Sequence, residues 1–295
     1  MDLFTLWLWP LVALAVLPAM LVYFGVHVVG RGIIFVDLAL AQIAALGIAT
    51  AVLMGADAEH GTLPYVLAVL FTVGGAALFS LTRFRHPRVP HEAIIGIIYI
   101  VAAAAATMVL SRTAAGDEEI KNLLVGNILL VSKGEVIRTA LLYLVIGAFH
   151  FALRRRFHLI SFDSEEAERQ GLSVRFWDFL FYATFGLVVT SFVRIAGVYL
   201  VFSYLIVPAV CGALLSSRTA VRLAIGWVVA LTAGLTGLLL STQMESLDLP
   251  TGPTIVCTFG LLLVVSGAVT FVRSRGDRGA AREIAVRGDN IAAIE

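Results

Sequence analysis

Long apolar segments alternate with short polar clusters along almost the whole chain. Nine of these segments approach the ~20 residues that an α-helix needs to cross a lipid bilayer. The pattern therefore predicts an all-α fold, a polytopic transmembrane helical bundle. We place the spans at Thr5–Val28, Ile33–Gly55, Leu63–Leu81, Ala93–Leu110, Val136–Leu153, Phe176–Phe192, Ala196–Leu215, Leu223–Leu240 and Thr254–Val272.

Two places in the pattern leave details of the bundle open. Arg194 lies in the short junction between the sixth and seventh segments, so a kink there would reduce the count to eight spans. The apolar stretch Ile120–Ser132 is too short to span and is predicted to form a re-entrant or half-helix. A membrane tolerates such backbone only where it is buried in protein or lines a cavity.

The composition supports a membrane protein and excludes several other classes. Of the 295 residues, 60% are hydrophobic and 14% are charged, whereas soluble domains carry about 25% charged residues. Two cysteines, Cys211 and Cys257, are too few for a secreted disulfide scaffold. A net charge of +1 gives no electrostatic basis for binding nucleic acid.

The arginines predict how the chain is oriented, because basic residues concentrate in cytoplasmic loops. Nine spans with the N-terminus outside and the C-terminus in the cytoplasm place every dense basic cluster on the cytoplasmic side. We therefore expect a multi-pass protein of the plasma (inner) membrane, with a transmembrane domain over residues 1–272 and a cytoplasmic tail over residues 273–295. The cytoplasmic arginines are Arg31, Arg83, Arg85, Arg88, Arg154, Arg155, Arg156, Arg218, Arg222, Arg273, Arg275 and Arg278.

Asp37 is the acidic residue that lies well inside a predicted span. Inserting an acid at the bilayer centre costs about 2.5–3.5 kcal/mol of free energy, so Asp37 is a candidate for the substrate path. The alternative is that Asp37 is a polar anchor near the cytoplasmic end of the span. Gln42 follows on the same helix, but five residues turn an α-helix by about 500°, so the two side chains point to different faces. Gln42 is a second candidate for the path, or a partner in an interhelical hydrogen bond.

The sequence lacks the P-loop of ATP-binding proteins and the GxSxG motif of serine hydrolases. The chain has only two lysines, Lys121 and Lys133, and neither lies in the GxxxxGK[ST] motif that binds the phosphates of ATP. A membrane-embedded enzyme would need clustered acids, histidines or a nucleophile within the spans, so this alternative has little support. A membrane scaffold without transport is a further alternative. Any ATP that drives this protein must be hydrolysed by another subunit.

The loop after the fifth span contains a predicted short helix. The segment Ser161–Arg175 has Ser164 as its expected N-cap, acids in the first turn and Gly171 just past the end. A short polar helix between two spans is either a surface feature or a docking element.

Several blocks of sequence occur in an order that resembles one family. Each block alone is apolar, rich in glycine and weakly specific, but their order and spacing are similar to those of the membrane permease of zinc/manganese-type ABC importers. The resemblance covers roughly residues 15–272. The blocks are RGIIFVDLALAQIAALG (Arg31–Gly47), EAIIG (Glu92–Gly96), LLVGNILLVS (Leu123–Ser132), AERQGLSV (Ala167–Val174), RIAGVYLVFSYLIVPAV (Arg194–Val210) and LDLPTGPTIV (Leu247–Val256).

The resemblance implies a transport subunit that is not an enzyme and holds no cofactor. Two copies of the chain would form the translocation path, and an extracytoplasmic metal-binding protein would deliver the ion. A cytoplasmic ABC ATPase dimer would bind ATP and dock on a coupling helix that includes Ala167, Glu168, Arg169, Gln170 and Gly171.

The LDLPTG block resembles a turn at the outer membrane face. Its candidate residues are Asp248, Pro250 and Gly252. The prolines and the glycine are predicted to break the helix there, and Asp248 would cap the last span, where a negative group is favourable.

One motif departs from the family and leaves the cargo open. The family has an aspartate and a histidine four residues apart on the second span, ligands that suit a first-row metal. Here Ala41 stands four residues after Asp37, and alignment on Gly47 places Gln42 at the histidine. The predicted cargo is a divalent metal ion, zinc or manganese, with Asp37 as a candidate metal ligand. Iron or a metal chelate is the alternative.

Overall fold

The computed structural model describes residues 3–57, 61–83, 89–113, 124–126, 128–243 and 249–292, with side chains from residue 7 to residue 273 of these ranges. They form helices joined by short turns, with a 3₁₀ turn at Ile128–Leu130. The α-helices are α1 (Leu3–Val16), α2 (Pro18–Arg31), α3 (Val36–Leu53), α4 (Thr62–Leu81), α5 (His91–Leu110), α6 (Lys133–Ala152), α7 (Arg154–Phe162), α8 (Ser164–Arg169), α9 (Val174–Leu215), α10 (Thr219–Gln243) and α11 (Thr251–Ala292).

The longest buried helix, α9, folds back on itself. It has 42 residues and is interrupted at Gly197, where φ is 77° and ψ is 166°. The ring centroids of Phe192 and Tyr204 lie 5.8 Å apart across the interruption, whereas twelve residues of a continuous helix would span about 18 Å. Helix α9 therefore consists of two limbs, residues 174–196 and 198–215.

The two limbs of α9 run in opposite directions along α2. In the first limb, the ring of Phe185 lies 5.0 Å from that of Phe24. In the second limb, the carbonyl oxygen of Leu205 lies so close to Gly25 that a Cβ there would overlap it. Small residues at such contacts let helix backbones approach closely. The limbs contain 23 and 18 residues, so each is long enough to make its own pass through a bilayer.

The fold-back accounts for the number of spans. In the described ranges, eight helical segments are long and apolar enough to cross a membrane, with α1 and α2 counted together as Trp7–Arg31. With one pass for each of the other seven segments and one for each limb of α9, the described ranges provide enough apolar helix for nine passes. The interruption beside Arg194 merges two predicted spans into one helix without removing a pass.

Arginines collect at one end of the bundle, which we call the arginine-rich end. Arg31 and Arg83 both bind Asp178 there, and Arg222 lies close to Gly212 at the end of α9. Helix α1 begins at the opposite end, where the Nζ atom of Lys133 lies 5.6 Å from the ring of Trp9. Helix α11 starts beside the end of α10 at that opposite end, and Thr270 donates to Leu214 O at the arginine-rich end.

The predicted half-helix is only partly described. In its described part, the 3₁₀ turn at Ile128–Leu130 follows Gly126, whose φ is 62° and which packs against the backbone of Gly197. A Cβ on Gly252 would lie 2.8 Å from Val125 O. The segment therefore packs between the fold-back of α9 and the start of α11.

The last helix differs from its prediction at both ends. It begins at Thr251 and includes Gly252 and Pro253 in its first turn, so these residues start the helix and do not break it. Proline is tolerated in a first turn because the N–H group it lacks would have no partner there. The helix continues to Ala292, so the predicted boundary at residue 272 falls inside it.

Candidate functional site

Asp37 lies in the first turn of α3 and is 1% exposed. Helix α3 begins at Val36, later than predicted, because Gly32 adopts a left-handed conformation (φ 67°) that ends α2 before a short turn. Both carboxylate oxygens are buried without a hydrogen-bond partner among the described residues. Asp37 therefore lies at the arginine-rich end of its span and not at its middle, at a helix N-terminus that favours negative charge.

The turn before Asp37 is held from a neighbouring helix. The backbone N–H of Ile34 donates to Oε1 of Glu92, at the start of α5, over 3.1 Å. Gln42 lies further along α3 and is 8% exposed. Within the described ranges, no group of three or more His, Cys, Asp or Glu side chains converges on a possible metal position. The roles of Asp37 and Gln42 in the path thus stay predictions.

A buried polar network lies next to this turn. Asp178, which is 0% exposed, accepts from Arg31 Nη1 at 2.6 Å and from Arg83 Nη1 at 2.5 Å, one bond on each carboxylate oxygen. Arg31 Nε donates to the hydroxyl of Ser161 at 2.9 Å, and that hydroxyl is also 2.9 Å from His27 Nδ1. The network joins α2, α7 and the first limb of α9 to Arg83, which follows the end of α4.

Aromatic rings enclose the network on the bundle side. The Arg31 guanidinium carbon lies 3.8 Å from the centre of the Phe181 ring. His150 stacks on Phe157 with ring centroids 4.0 Å apart and is hydrogen-bonded to Tyr23 and Thr184. The side chains of Arg31 and Asp178 are almost completely buried, whereas that of Arg83 is 26% exposed, so the first two charges depend most on their partners.

The charges of the network stabilise one another only as a set. Burial disfavours a charge, and removing one member of a buried ion pair costs about 3–5 kcal/mol because the other charge loses its partner. Burial lowers the pKa of the Arg83 guanidinium, but the Asp178 carboxylate, together with Tyr182 and Glu168, raises it, and the net direction is upward. The Arg83 guanidinium is therefore charged at neutral pH.

Sequence reasoning did not bring these residues together. Arg31 and Arg83 served as orientation signals, and Ser161 only marked the start of a loop. The available signal was Asp178, an acid at the edge of the sixth apolar segment, because a buried carboxylate requires a partner. The identity of that partner depends on contacts between residues far apart in sequence.

The predicted short helix is present as α8, with a different cap, and its coupling role stays a prediction. The side chain of Asp163, and not that of Ser164, accepts from the backbone N–H of Glu166 at 3.0 Å. Asp163 precedes the first helical residue, and its carboxylate reaches the third N–H of the helix, which is the usual capping geometry. Gly171 lies beyond the end of α8 with a φ of 78°, as predicted from its position.

The candidate coupling residues divide into an anchored part and an exposed part. Ala167 is completely buried against the body of the bundle. Arg169, Gln170 and Gly171 are exposed, and Glu168 is half-buried. The exposed residues form a small surface beside the arginine-rich end, whereas Ala167 fixes α8 to the bundle.

The predicted outer-face turn lies at the opposite end of the bundle. Pro250 precedes α11, and Gly252 approaches Val125 in the first turn of that helix. Thr251 and Ser241 join the turn to α10 through a hydroxyl contact of 3.1 Å. Asp248 lies outside the described residues, so its capping role stays a prediction.

A comparison with protein-family models finds one that matches most of the chain. The model of the ABC 3 transport family matches residues 4–270. This range includes every pass of the bundle, the network around Asp178 and α8.

Curated relatives align with most of this chain at low identity. The manganese transport system membrane protein MntC of Listeria monocytogenes is 25% identical over 201 residues, covering 64% of this chain and 71% of the relative. The manganese transport system membrane protein MntB of Synechocystis is 26% identical over 225 residues, 72% of each chain. The chelated iron transport system membrane protein YfeD of Yersinia pestis is 25% identical over 241 residues, covering 77% of this chain and 78% of the relative.

Two solved structures share the fold. PsaBC from Streptococcus pneumoniae in complex with Fab matches with a TM-score of 0.74 and 21% identity, covering 90% of this chain and 91% of the other. An inward-facing conformation of a putative metal-chelate type ABC transporter matches with a TM-score of 0.71 and 19% identity, covering 90% and 88%.

Proposed function

Because the chain belongs to the ABC 3 transport family, we propose that it is the membrane-spanning permease of an ATP-driven importer for a divalent metal ion. The observation that carries the proposal is the family match over residues 4–270, which spans the whole nine-pass bundle. The chain is a transport subunit and not an enzyme. We assign ATP hydrolysis to a separate subunit.

The cargo that the chemistry and the relatives favour is manganese or zinc. Carboxylate ligands suit manganese, and imidazole ligands suit zinc, and the path candidates of this chain are a carboxylate and an amide. The Listeria and Synechocystis relatives are named as manganese permeases. The Yersinia relative is named for chelated iron, which keeps iron or a chelate as the second candidate.

The contacts of α8 support a route from ATP hydrolysis to the path. The exposed residues Arg169, Gln170 and Gly171 would contact the ATPase, and Ala167 would carry the displacement into the bundle. Helix α7 precedes α8, and its Ser161 binds Arg31. Arg31 is followed by the turn that leads to Asp37. A displacement of α8 would therefore reach the start of α3 through the Ser161 hydroxyl and the Arg31 guanidinium.

The charge distribution supports an orientation and a set of partners. The arginine-rich end would face the cytoplasm, with the N-terminus outside, the C-terminus inside and the ATPase dimer at α8. An extracytoplasmic metal-binding protein would dock at the opposite end, near the turn around Pro250. The family resemblance implies two membrane subunits in the importer. A second copy of the chain would therefore complete the translocation path.

Metal uptake into proteoliposomes tests the proposal. The permease would be co-expressed with its ATPase, purified as a complex and reconstituted, and the uptake of radioactive manganese and zinc would be followed with the loaded binding protein outside. We expect ATP-dependent uptake that a hydrolysis-deficient ATPase abolishes. Uptake of iron or a chelate in preference to both ions would support the second candidate. ATP-independent uptake, or none of any cargo, would contradict the proposal.

A further inference from the structure

The corner between α6 and α7 combines exposed arginines with an open cavity. Helix α6 ends at Ala152, and α7 begins at Arg154. Arg154, Arg155 and Arg156 are all exposed. A cavity of about 360 Å³ opens at the corner, lined by Ala152, Leu153 and these three arginines.

An apolar stripe on α6 leads directly to this corner. Leu141, Leu144, Val145 and Phe151 are 56%, 67%, 67% and 68% exposed. In chain order these residues are three, one and six positions apart, which places all four on one side of the helix. On a membrane-crossing helix, such a stripe is a surface for lipid acyl chains. The arginines thus lie where the apolar stripe ends, which is where the head groups of a bilayer around α6 would lie.

The charges of these arginines are not neutralised by the described part of the chain. The ion pairs among the described residues involve Arg31, Arg83 and Arg169 instead. Arg154 donates to the carbonyl of Phe151 at 3.1 Å, and its guanidinium carbon lies 4.5 Å from the Phe151 ring. The Arg154 guanidinium is therefore held beside the stripe and not directed towards a carboxylate.

We propose that this corner binds the head group of an anionic phospholipid. A phosphate diester accepts paired hydrogen bonds from guanidinium groups, and clusters of basic residues next to a membrane span recognise anionic head groups. The lipid acyl chains would lie along Leu141, Leu144 and Val145. The proposal rests on the membrane location that belongs to the proposed function, but it requires no particular cargo.

Two features favour a lipid over the ATPase as the occupant. Phe151 links the arginines to the apolar face of α6, which no soluble subunit reaches inside a bilayer. The predicted ATPase contact is a separate surface formed by Arg169, Gln170 and Gly171 on α8. The lipid would hold the start of α7. Further along this helix, Phe157 packs against His150, and Ser161 accepts a hydrogen bond from Arg31, which binds Asp178.

Thermal unfolding of the purified full-length chain in neutral detergent tests the proposal. We expect phosphatidylglycerol to raise the Tm by several degrees and phosphatidylcholine at the same concentration to leave it unchanged. The double variant Arg154→Gln/Arg155→Gln should lose the increase. The matched control Arg218→Gln/Arg273→Gln, which removes the same charge from exposed positions at the same end, should retain it. Arg155→Gln alone is a milder variant should the double variant not fold, and it should reduce the increase.

Three outcomes would overturn the inference. The double variant could retain the full response to phosphatidylglycerol. Inorganic phosphate could produce the same increase, which would identify a site for a free anion. The double variant could lose binding to the ATPase while its lipid response is intact, which would assign the arginines to docking. Because the assay needs no transport, its result is independent of whether the reconstituted complex imports metal.

Discussion

At the scale of single residues, backbone geometry and buried charge explain why particular positions cannot be exchanged freely. Gly197 combines a φ of 77° with a backbone contact to Gly126, and a Cβ there would lie 2.5 Å from the Gly126 nitrogen. Asp37 presents two buried oxygens without a described hydrogen-bond partner. The first residue permits the fold-back, and the second is the acid that the path hypothesis requires.

We expect Gly197→Ala to destabilise the protein by about 3 kcal/mol or more. A side chain at this combination of positive φ and extended ψ, a region essentially restricted to glycine, costs about 1–3 kcal/mol, and overpacking against backbone adds about 1–3 kcal/mol. Thermal unfolding in detergent would measure the change. The control is Gly260→Ala, at a helical site with open space around it, which should be neutral or slightly stabilising. Equal Tm values for the two variants would contradict this account of the fold-back.

We expect Asp37→Asn to reduce metal uptake by about tenfold or more without lowering the Tm. The substitution keeps the shape of the side chain but removes the charge that would attract a divalent cation, and a tenfold effect corresponds to about 1.4 kcal/mol. Asp37→Glu is the matched control, because it keeps the carboxylate and should retain part of the uptake. Normal transport by Asp37→Asn would identify the acid as a helix-end anchor only.

At the scale of elements, α7 and α8 connect a small exposed surface to the interior of the bundle. Helix α8 has only six residues, too few to be stable alone. The cap at Asp163, the burial of Ala167 and the bonds of Ser161 hold it in place. The sequence indicated the short helix correctly, whereas its connection to Arg31 and Asp178 required the packing of three distant segments.

Ser161→Ala tests this connection. It leaves Arg31 Nε and His27 Nδ1 without their shared partner, and an unsatisfied buried polar group costs about 1–3 kcal/mol. We expect the complex to assemble and hydrolyse ATP, but the number of ions imported per ATP should fall about fivefold. The measurement is parallel uptake and phosphate release in proteoliposomes.

Ser203→Ala is the matched control for this variant. Ser203 is also buried, but its hydroxyl donates only to the carbonyl of Tyr199 on its own helix, at 2.9 Å. The control should keep the normal ratio of ions to ATP. An unchanged ratio for Ser161→Ala would show that the displacement of α8 does not pass through Ser161.

At the scale of the whole molecule, an odd number of passes places the start of the first helix and the end of the last pass at opposite ends of the bundle. The arginine-rich end gathers the ion network, the start of α7 and α8. The opposite end holds the fold-back at Gly197 and the start of α11. Charge asymmetry between loops orients membrane proteins, so this distribution predicts which end faces the cytoplasm.

Labelling of single cysteines tests the orientation. In a chain with Cys211 and Cys257 replaced by serine, Gly134→Cys should react with a membrane-impermeant maleimide in intact cells. Ser217→Cys should react only in inverted vesicles. Both positions are exposed and lie near opposite ends of the bundle. Reaction of both cysteines from the same side would contradict nine passes, and exchange of the two sides would reverse the orientation.

The sequence by itself determined the class of the protein, the approximate spans and the position of α8, because these depend on local hydrophobicity and on turn and cap residues. The family blocks, which are local as well, pointed to the transport function that the family match supports. Only the tertiary structure decided that α9 reverses at Gly197, that Asp178 binds Arg31 and Arg83, and that Asp37 lies at a helix start. The physical reason is that a buried charge or a close backbone contact is satisfied by residues distant in sequence, and no local pattern specifies which ones.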